Sequence, residues 1–98
     1  MEIICRIADQ GPVQEREYTT QQGMKDSFAS MPFILQSGDD SFFCEMVQEQ
    51  ARKQARQEPL SRDYYYKATV AVTARPWQDQ QGQTRYENRL TLTRLAVL

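Results

Sequence analysis

Two runs of alternating hydropathy, separated by a short polar tip, limit this chain more than any other feature. From Tyr64 onward, Tyr64, Tyr66, Ala68, Val70, Val72 and Ala74 fall on one side. Tyr65, Lys67, Thr69, Ala71, Thr73 and Arg75 fall on the other. A period of two held this long is the mark of an extended strand with one face buried. The stretch Gln78-Asp79-Gln80-Gln81-Gly82 follows, and Gly82 can take the positive φ that a tight hairpin requires. Alternation then resumes, with Leu90 and Leu92 inward against Arg89, Thr91 and Thr93. After Leu92 the phase slips: Arg94 stands where an apolar residue is due, and Leu95 and Val97 take over. A bulge near Thr93 accounts for the slip; the alternative is that Leu95 and Val97 face a partner subunit. Two long antiparallel strands with Arg75 and Trp77 near their tip make a projecting arm.

The preceding residues supply the remaining elements. Ile3, Cys5 and Ile7 alternate with Ile4, Arg6 and Ala8, so residues 2–8 read as a first strand. Gly11-Pro12 breaks or bends it, and Val13 to Thr20 continue as an extended, charged edge segment. The polar, glycine-punctuated stretch from Gln21 to Ser27 reads as a loop or hairpin turn. Phe28 to Ser37 forms a second strand with Met31, Phe33 and Leu35 in phase, and Pro32 is expected at its start or at a bulge. Ser37-Gly38-Asp39-Asp40 signals a tight turn. In the third strand, Ser41 to Val47, Phe42, Cys44 and Met46 share one side, which leaves Phe43 outward. Gln48 to Gln57 is rich in helix formers and stops before Pro59. So polar a helix suits only a barrel end, and its basic residues Arg52, Lys53 and Arg56 read as solvated surface.

Composition narrows the function. At 98 residues the chain is one domain, 1–98, with a single core. Residues 1–50 hold three cations against nine acids, a net of −6; residues 51–98 hold nine against four, a net of +5. That asymmetry points the C-terminal half at a polyanion, unless the two halves neutralise each other across the fold. There is no histidine, so the commonest general base is missing, and no glycine-rich phosphate loop is present. No enzyme activity and no cofactor are expected. Cys5 and Cys44 lack the spacing and number of a zinc site, so no metal is expected either, and both read as buried small hydrophobes. No stretch approaches the ~20 apolar residues of a membrane span. The start MEIICRIAD has an early acid and a strand pattern in place of a basic, then apolar, leader. A cytoplasmic protein without membrane attachment is expected.

The segment from Val72 to Tyr86 resembles the hairpin joining the last two strands of bacterial single-stranded DNA-binding proteins. Arg75, Trp77, Asp79, Gly82, Arg85 and Tyr86 match the family's R-x-W-x-D-x-x-G-x-x-R-Y pattern. The match is close over about a third of the chain and elsewhere extends only to strand order. The resemblance implies an all-β chain, a five-stranded OB-fold Greek-key barrel with one short helix between strands three and four. Its long first strand would bend at Gly11. Two departures stand out: the third strand lacks the tryptophans usual there, and these residues include no glycine- and proline-rich tail with an acidic tip. Recruitment of repair partners through such a tip is therefore not expected.

By the resemblance Trp77 stacks on a base; the alternative is that it folds back on its own hairpin. Arg75, Lys67 and Thr73 share its strand face and are candidates to track phosphates, as is Arg85. Tyr86 is either a contact residue or cross-strand packing against Trp77 or Pro76. Phe43 is a further stacking candidate on the third strand. The expected function is binding of single-stranded DNA with little sequence preference, with RNA as the alternative polymer. It would serve replication, recombination or mobile-element transfer, and a homodimer or homotetramer would cover exposed edges. The competing expectation is an OB-fold adaptor that docks on another protein through the same arm.

Overall fold

The computed structural model describes residues 1–98. The chain forms β1 (Glu2–Gln10), β2 (Gln14–Thr19), β3 (Lys25–Ser37), β4 (Asp40–Val47), α1 (Gln48–Ala55), β5 (Tyr66–Gln78) and β6 (Thr84–Val97). Strand order across the sheet is β1-β5-β6-β4-β3-β2, and β1 also pairs with β3, which closes a barrel. Neighbours are antiparallel except β4 and β6, which meet in parallel at Glu45 and Thr91. β1 and β2 are the two halves of the expected first strand, and both pair with β3. The barrel therefore has five walls, as the expected architecture requires, with the helix between the third and fourth.

The bend between β1 and β2 rests on one close approach. The Gly11 N–H donates to the Pro32 carbonyl at 2.9 Å. A Cβ at position 11 would stand 2.6 Å from Pro32 Cγ, so only glycine fits. Pro32 lies in the middle of β3, not at its start or at a bulge, which corrects the sequence expectation. Within a strand a residue's N and O point to the same side, so the missing N–H of Pro32 faces the gap where the chain crosses from β1 to β2. No ladder bond is lost there. A second correction concerns length: β3 begins at Lys25, where the sequence suggests a loop. Lys25, Asp26 and Ser27 are all polar, so they carry no period; their backbones pair with Thr19, Tyr18 and Glu17.

The core collects the inward residues of each wall: Cys5 and Ile7 from β1, Met31, Phe33 and Leu35 from β3, Cys44 and Met46 from β4. Tyr66, Ala68 and Val70 of β5 and Leu92 of β6 join them, with Ala29 of β3 and Ala51 of the helix. The buried Tyr66 hydroxyl donates to the Ser61 carbonyl at 2.9 Å. The expected slip in β6 is a bulge: Thr69 pairs with Arg94 and Val70 with Leu92, which leaves Thr93 as the extra residue. Its hydroxyl donates to the Thr69 carbonyl at 3.1 Å, and Leu95 turns back onto the core.

Helix α1 closes one end of the barrel with Ala51. It starts from a sharp turn at Gln48, whose φ of 56° lies in the left-handed region. The Gln48 side chain continues the β4 ladder by one position, with Oε1 accepting from Ala29 N–H at 3.2 Å. Past Val70 the β5–β6 pair leaves the barrel. Val72 and Ala74, in phase with the core, are exposed, a correction to the reading that one face is buried throughout. The molecule is 43 Å in its longest dimension, and β5 alone spans about 40 Å at ~3.3 Å per residue.

Candidate nucleic-acid interface

The arm carries two unlike faces, fixed by its register. Thr73 faces Arg89, Arg75 faces Glu87 and Trp77 faces Arg85 on one side. Val72 with Leu90, Ala74 with Asn88, Pro76 with Tyr86 and Gln78 with Thr84 occupy the other. The first face is polar and cationic; the second holds no charged residue.

The tip is built around Asp79. Its Oδ1 accepts from the N–H groups of Gln81 and Gln83, both at 2.9 Å, and its Oδ2 accepts from Arg85 Nε at 3.0 Å. Gly82 takes the positive φ of 78° that this turn needs. The Arg85 guanidinium, then the Gln83 and Gln81 amides, hold the Asp79 carboxyl below its ordinary range. The matched motif thus first specifies a rigid tip. Arg85 anchors that tip, while Trp77 beside it keeps about half its surface open, at 48% exposure.

Opposite the arm, β2 and the first half of β3 form a second projecting ribbon. Arg16 pairs with Phe28 across it, on the side facing the arm. Between the ribbons lies a cleft of about 450 Å³ whose lining includes Arg16, Phe28, Glu45, Arg75 and Arg89. β4 passes along the cleft floor, with Phe43 and Glu45 both on its outer face. The guanidinium groups of Arg16 and Arg75 have no protein partner, and Arg89 has only a loose contact to Glu87 at 3.8 Å. Three cations left without close partners on one concave surface hold a strong preference for anions.

One arginine from the helix sets the back of the second ribbon. Arg52 Nε donates to Glu15 at 2.8 Å, Nη1 to Glu49 at 2.7 Å, and Nη2 to the Ser27 carbonyl and hydroxyl at 3.2 Å each. Glu15 and Ser27 directly adjoin Arg16 and Phe28 in the chain, so this clamp fixes the ribbon that presents them. Arg52 therefore differs from the solvated helix surface expected of it.

The structure puts Phe43, 54% exposed, on the β4 face that carries Glu45, and Trp77, Arg75 and Thr73 on one face of the arm. Tyr86 lies on the opposite face, paired with Pro76. Lys67 lies on the outer barrel wall, about 26 Å along β5 from Arg75 at ~3.3 Å per residue, and its ammonium is paired with Glu2 at 3.0 Å. Arg16, Phe28 and Arg89 are cleft residues that the sequence reading missed. For Arg89 a signal existed, since counting back from the Gly82 turn places it opposite Thr73. Phe28 also had one, since it falls out of phase with Met31, Phe33 and Leu35, whereas Arg16 offered none because β2 shows no hydropathy period.

No protein-family model and no curated protein matches the chain. Among solved structures, the chain is similar to the second OB-fold domain of replication protein A from Methanococcus maripaludis. The TM-score is 0.59 at 12% identity, over 99% of this chain and 81% of that one. Taken with the closed five-walled barrel and its helix, this places the chain in the OB-fold class. No helix is long and apolar enough to cross a membrane.

Proposed function

We propose that this OB-fold binds single-stranded DNA in the cleft between its two ribbons, with little overall sequence preference. One observation carries the proposal: unpartnered Arg16 and Arg75 line one cleft with Arg89 and Phe28, and the exposed aromatics Trp77 and Phe43 lie on the same strand faces as Arg75 and Glu45. Single strands are held in this way elsewhere, by a positive groove that tracks phosphates and aromatic faces on which bases stack. The arginines attract phosphates, the aromatics stack bases, Thr73 adds a hydrogen-bonding hydroxyl, and no catalysis or cofactor is involved. Similarity to a domain of a protein named for replication agrees with this reading, as does the match of the arm to bacterial single-stranded DNA-binding proteins. The setting proposed is cytoplasmic DNA replication, recombination or mobile-element transfer, with a homodimer or homotetramer as the working unit.

The test is anisotropy of a labelled thymidine strand against a blunt duplex of equal length at low salt. Tighter binding of the single strand supports the proposal; preference for the duplex, or no binding of either, overturns it. A second reading, an adaptor that docks on another protein, is favoured by the uncharged far face of the arm. There Val72 and Tyr86 are 51% and 73% exposed. A complex formed through that face weakens little as salt rises, whereas phosphate binding weakens steeply.

A further inference from the structure

Glu45 does not fit a surface built only for phosphates. It lines the cleft beside Arg16, Arg75 and Arg89, whereas Glu87, the other carboxylate on that side, already contacts Arg89. Yet Glu45 forms no ion pair, although Arg52, Arg62, Lys67, Arg85 and Arg89 all contact acids elsewhere. A carboxylate repels phosphate oxygens and accepts only from N–H and O–H donors. In a cleft whose arginines are engaged by the phosphates of a single strand, the donors left for Glu45 are on base edges.

The bases differ in what they offer to a group with two acceptor oxygens side by side. Guanine presents N1–H and an N2 amino group as adjacent donors on its Watson–Crick edge, so both oxygens are satisfied at once. Cytosine and adenine each present one amino group beside a bare ring nitrogen, which sets a lone pair against the second oxygen. Thymine presents one N–H between two carbonyls. Phe43 stands two residues along β4 on the same face, about 7 Å away at ~3.3 Å per residue, and its ring is exposed. A base stacked on that ring can turn its edge toward position 45.

We propose that Glu45 makes the cleft floor a guanine subsite, one base-selective position in an otherwise sequence-tolerant track. The inference rests on the single-strand reading above. A bidentate pair of this kind discriminates by about 5- to 150-fold.

The experiment measures affinities for thymidine strands carrying one central guanine, inosine, adenine, cytosine or thymine, at fixed salt. A lone guanine avoids self-association of G-rich strands. Inosine keeps N1–H and lacks the amino group, so it isolates the second hydrogen bond. Wild-type protein is expected to bind the guanine strand at least fivefold more tightly than the thymine and inosine strands. In Glu45→Gln and Glu45→Ala, each checked for folding by circular dichroism, that ratio is expected to fall to about twofold or less. Equal affinity for all five strands in the wild type overturns the subsite and leaves single-strand binding standing. Uniform tightening of every strand in both variants, with no change in base ratios, also overturns it, since Glu45 would then act only by repelling phosphates. Failure to bind any strand overturns the single-strand reading, and this inference with it.

Discussion

Replacing Arg75 and Arg89 together by glutamine should remove most of the salt sensitivity of strand binding without removing the aromatic platform. On single strands each neutralised phosphate contributes about 0.7 to the slope of log affinity against log salt. Three cleft arginines (Arg16, Arg75 and Arg89) then give a slope of about −2, and Arg16 alone about −0.7. A roughly fourfold rise in salt should therefore weaken the wild type about 20-fold and the double variant only about threefold. The control is Lys67→Gln, which removes a cation already paired with Glu2 on another wall; its slope should match the wild type. Anisotropy of a labelled thymidine strand across a salt series reads all three proteins. Equal loss of slope in Lys67→Gln and in the double variant would show that diffuse charge, not the cleft, carries the binding.

Further outcomes follow from the same geometry. Arg52→Ala should weaken strand binding while leaving the salt slope unchanged, because it frees the ribbon holding Arg16 and Phe28 without removing a phosphate contact. Gln48→Ala strips the buried Ala29 N–H of its acceptor, at a cost of about 1–3 kcal/mol. For a domain of this size each ~1 kcal/mol lowers Tm by about 4–8 °C, measurable by thermal unfolding. Burial, then the nearby Cys5, pushes the Cys44 thiol from its ordinary 9.0 up to about 12, and burial also raises Cys5. Neither thiol should react with a thiol reagent at mildly alkaline pH until the protein is unfolded. The stability linked to Cys44 is complete below pH 9 and is lost as pH rises toward 12, because the unfolded thiol ionises first. Chemical denaturation across that interval reads the loss.

Much of the barrel was legible because its inward residues alternate within single segments. Ile3, Cys5 and Ile7 gave β1, and Met31, Phe33 and Leu35 gave the inner half of β3. The slip at Arg94 disclosed the Thr93 bulge, since a bulge reverses the side-chain phase and leaves a visible error in the pattern. The arm's tip was legible for a different reason: Asp79, Gly82 and Arg85 make one local set of hydrogen bonds, so their spacing is fixed by the turn alone. The cleft was mostly hidden. It is formed by outward residues of β2, β3, β4, β5 and β6, and outward positions tolerate almost any polar side chain. β2 and the start of β3 are mostly polar, with Tyr18 and Phe28 as isolated exposed aromatics, so their pairing rests on backbone hydrogen bonds and leaves little hydropathy signature. Arg52 was misread because a helix cation looks the same in sequence whether it meets water or clamps Glu15 and Ser27. Val72 and Ala74 misled in the opposite direction, keeping core phase while exposed, although Leu90 opposite Val72 still packs against the core.

The central claim is that a single strand lies in this cleft against Trp77, and the chain's only tryptophan reports on it directly. Its fluorescence should be followed during titration with a thymidine strand at low and moderate salt, with Trp77→Ala measured in parallel by anisotropy. The account predicts strong quenching that shifts to higher strand concentrations as salt rises. It also predicts affinity about 5- to 150-fold weaker in the variant, from loss of one stacked base at ~1–3 kcal/mol. Unchanged fluorescence together with no binding at low salt would contradict it.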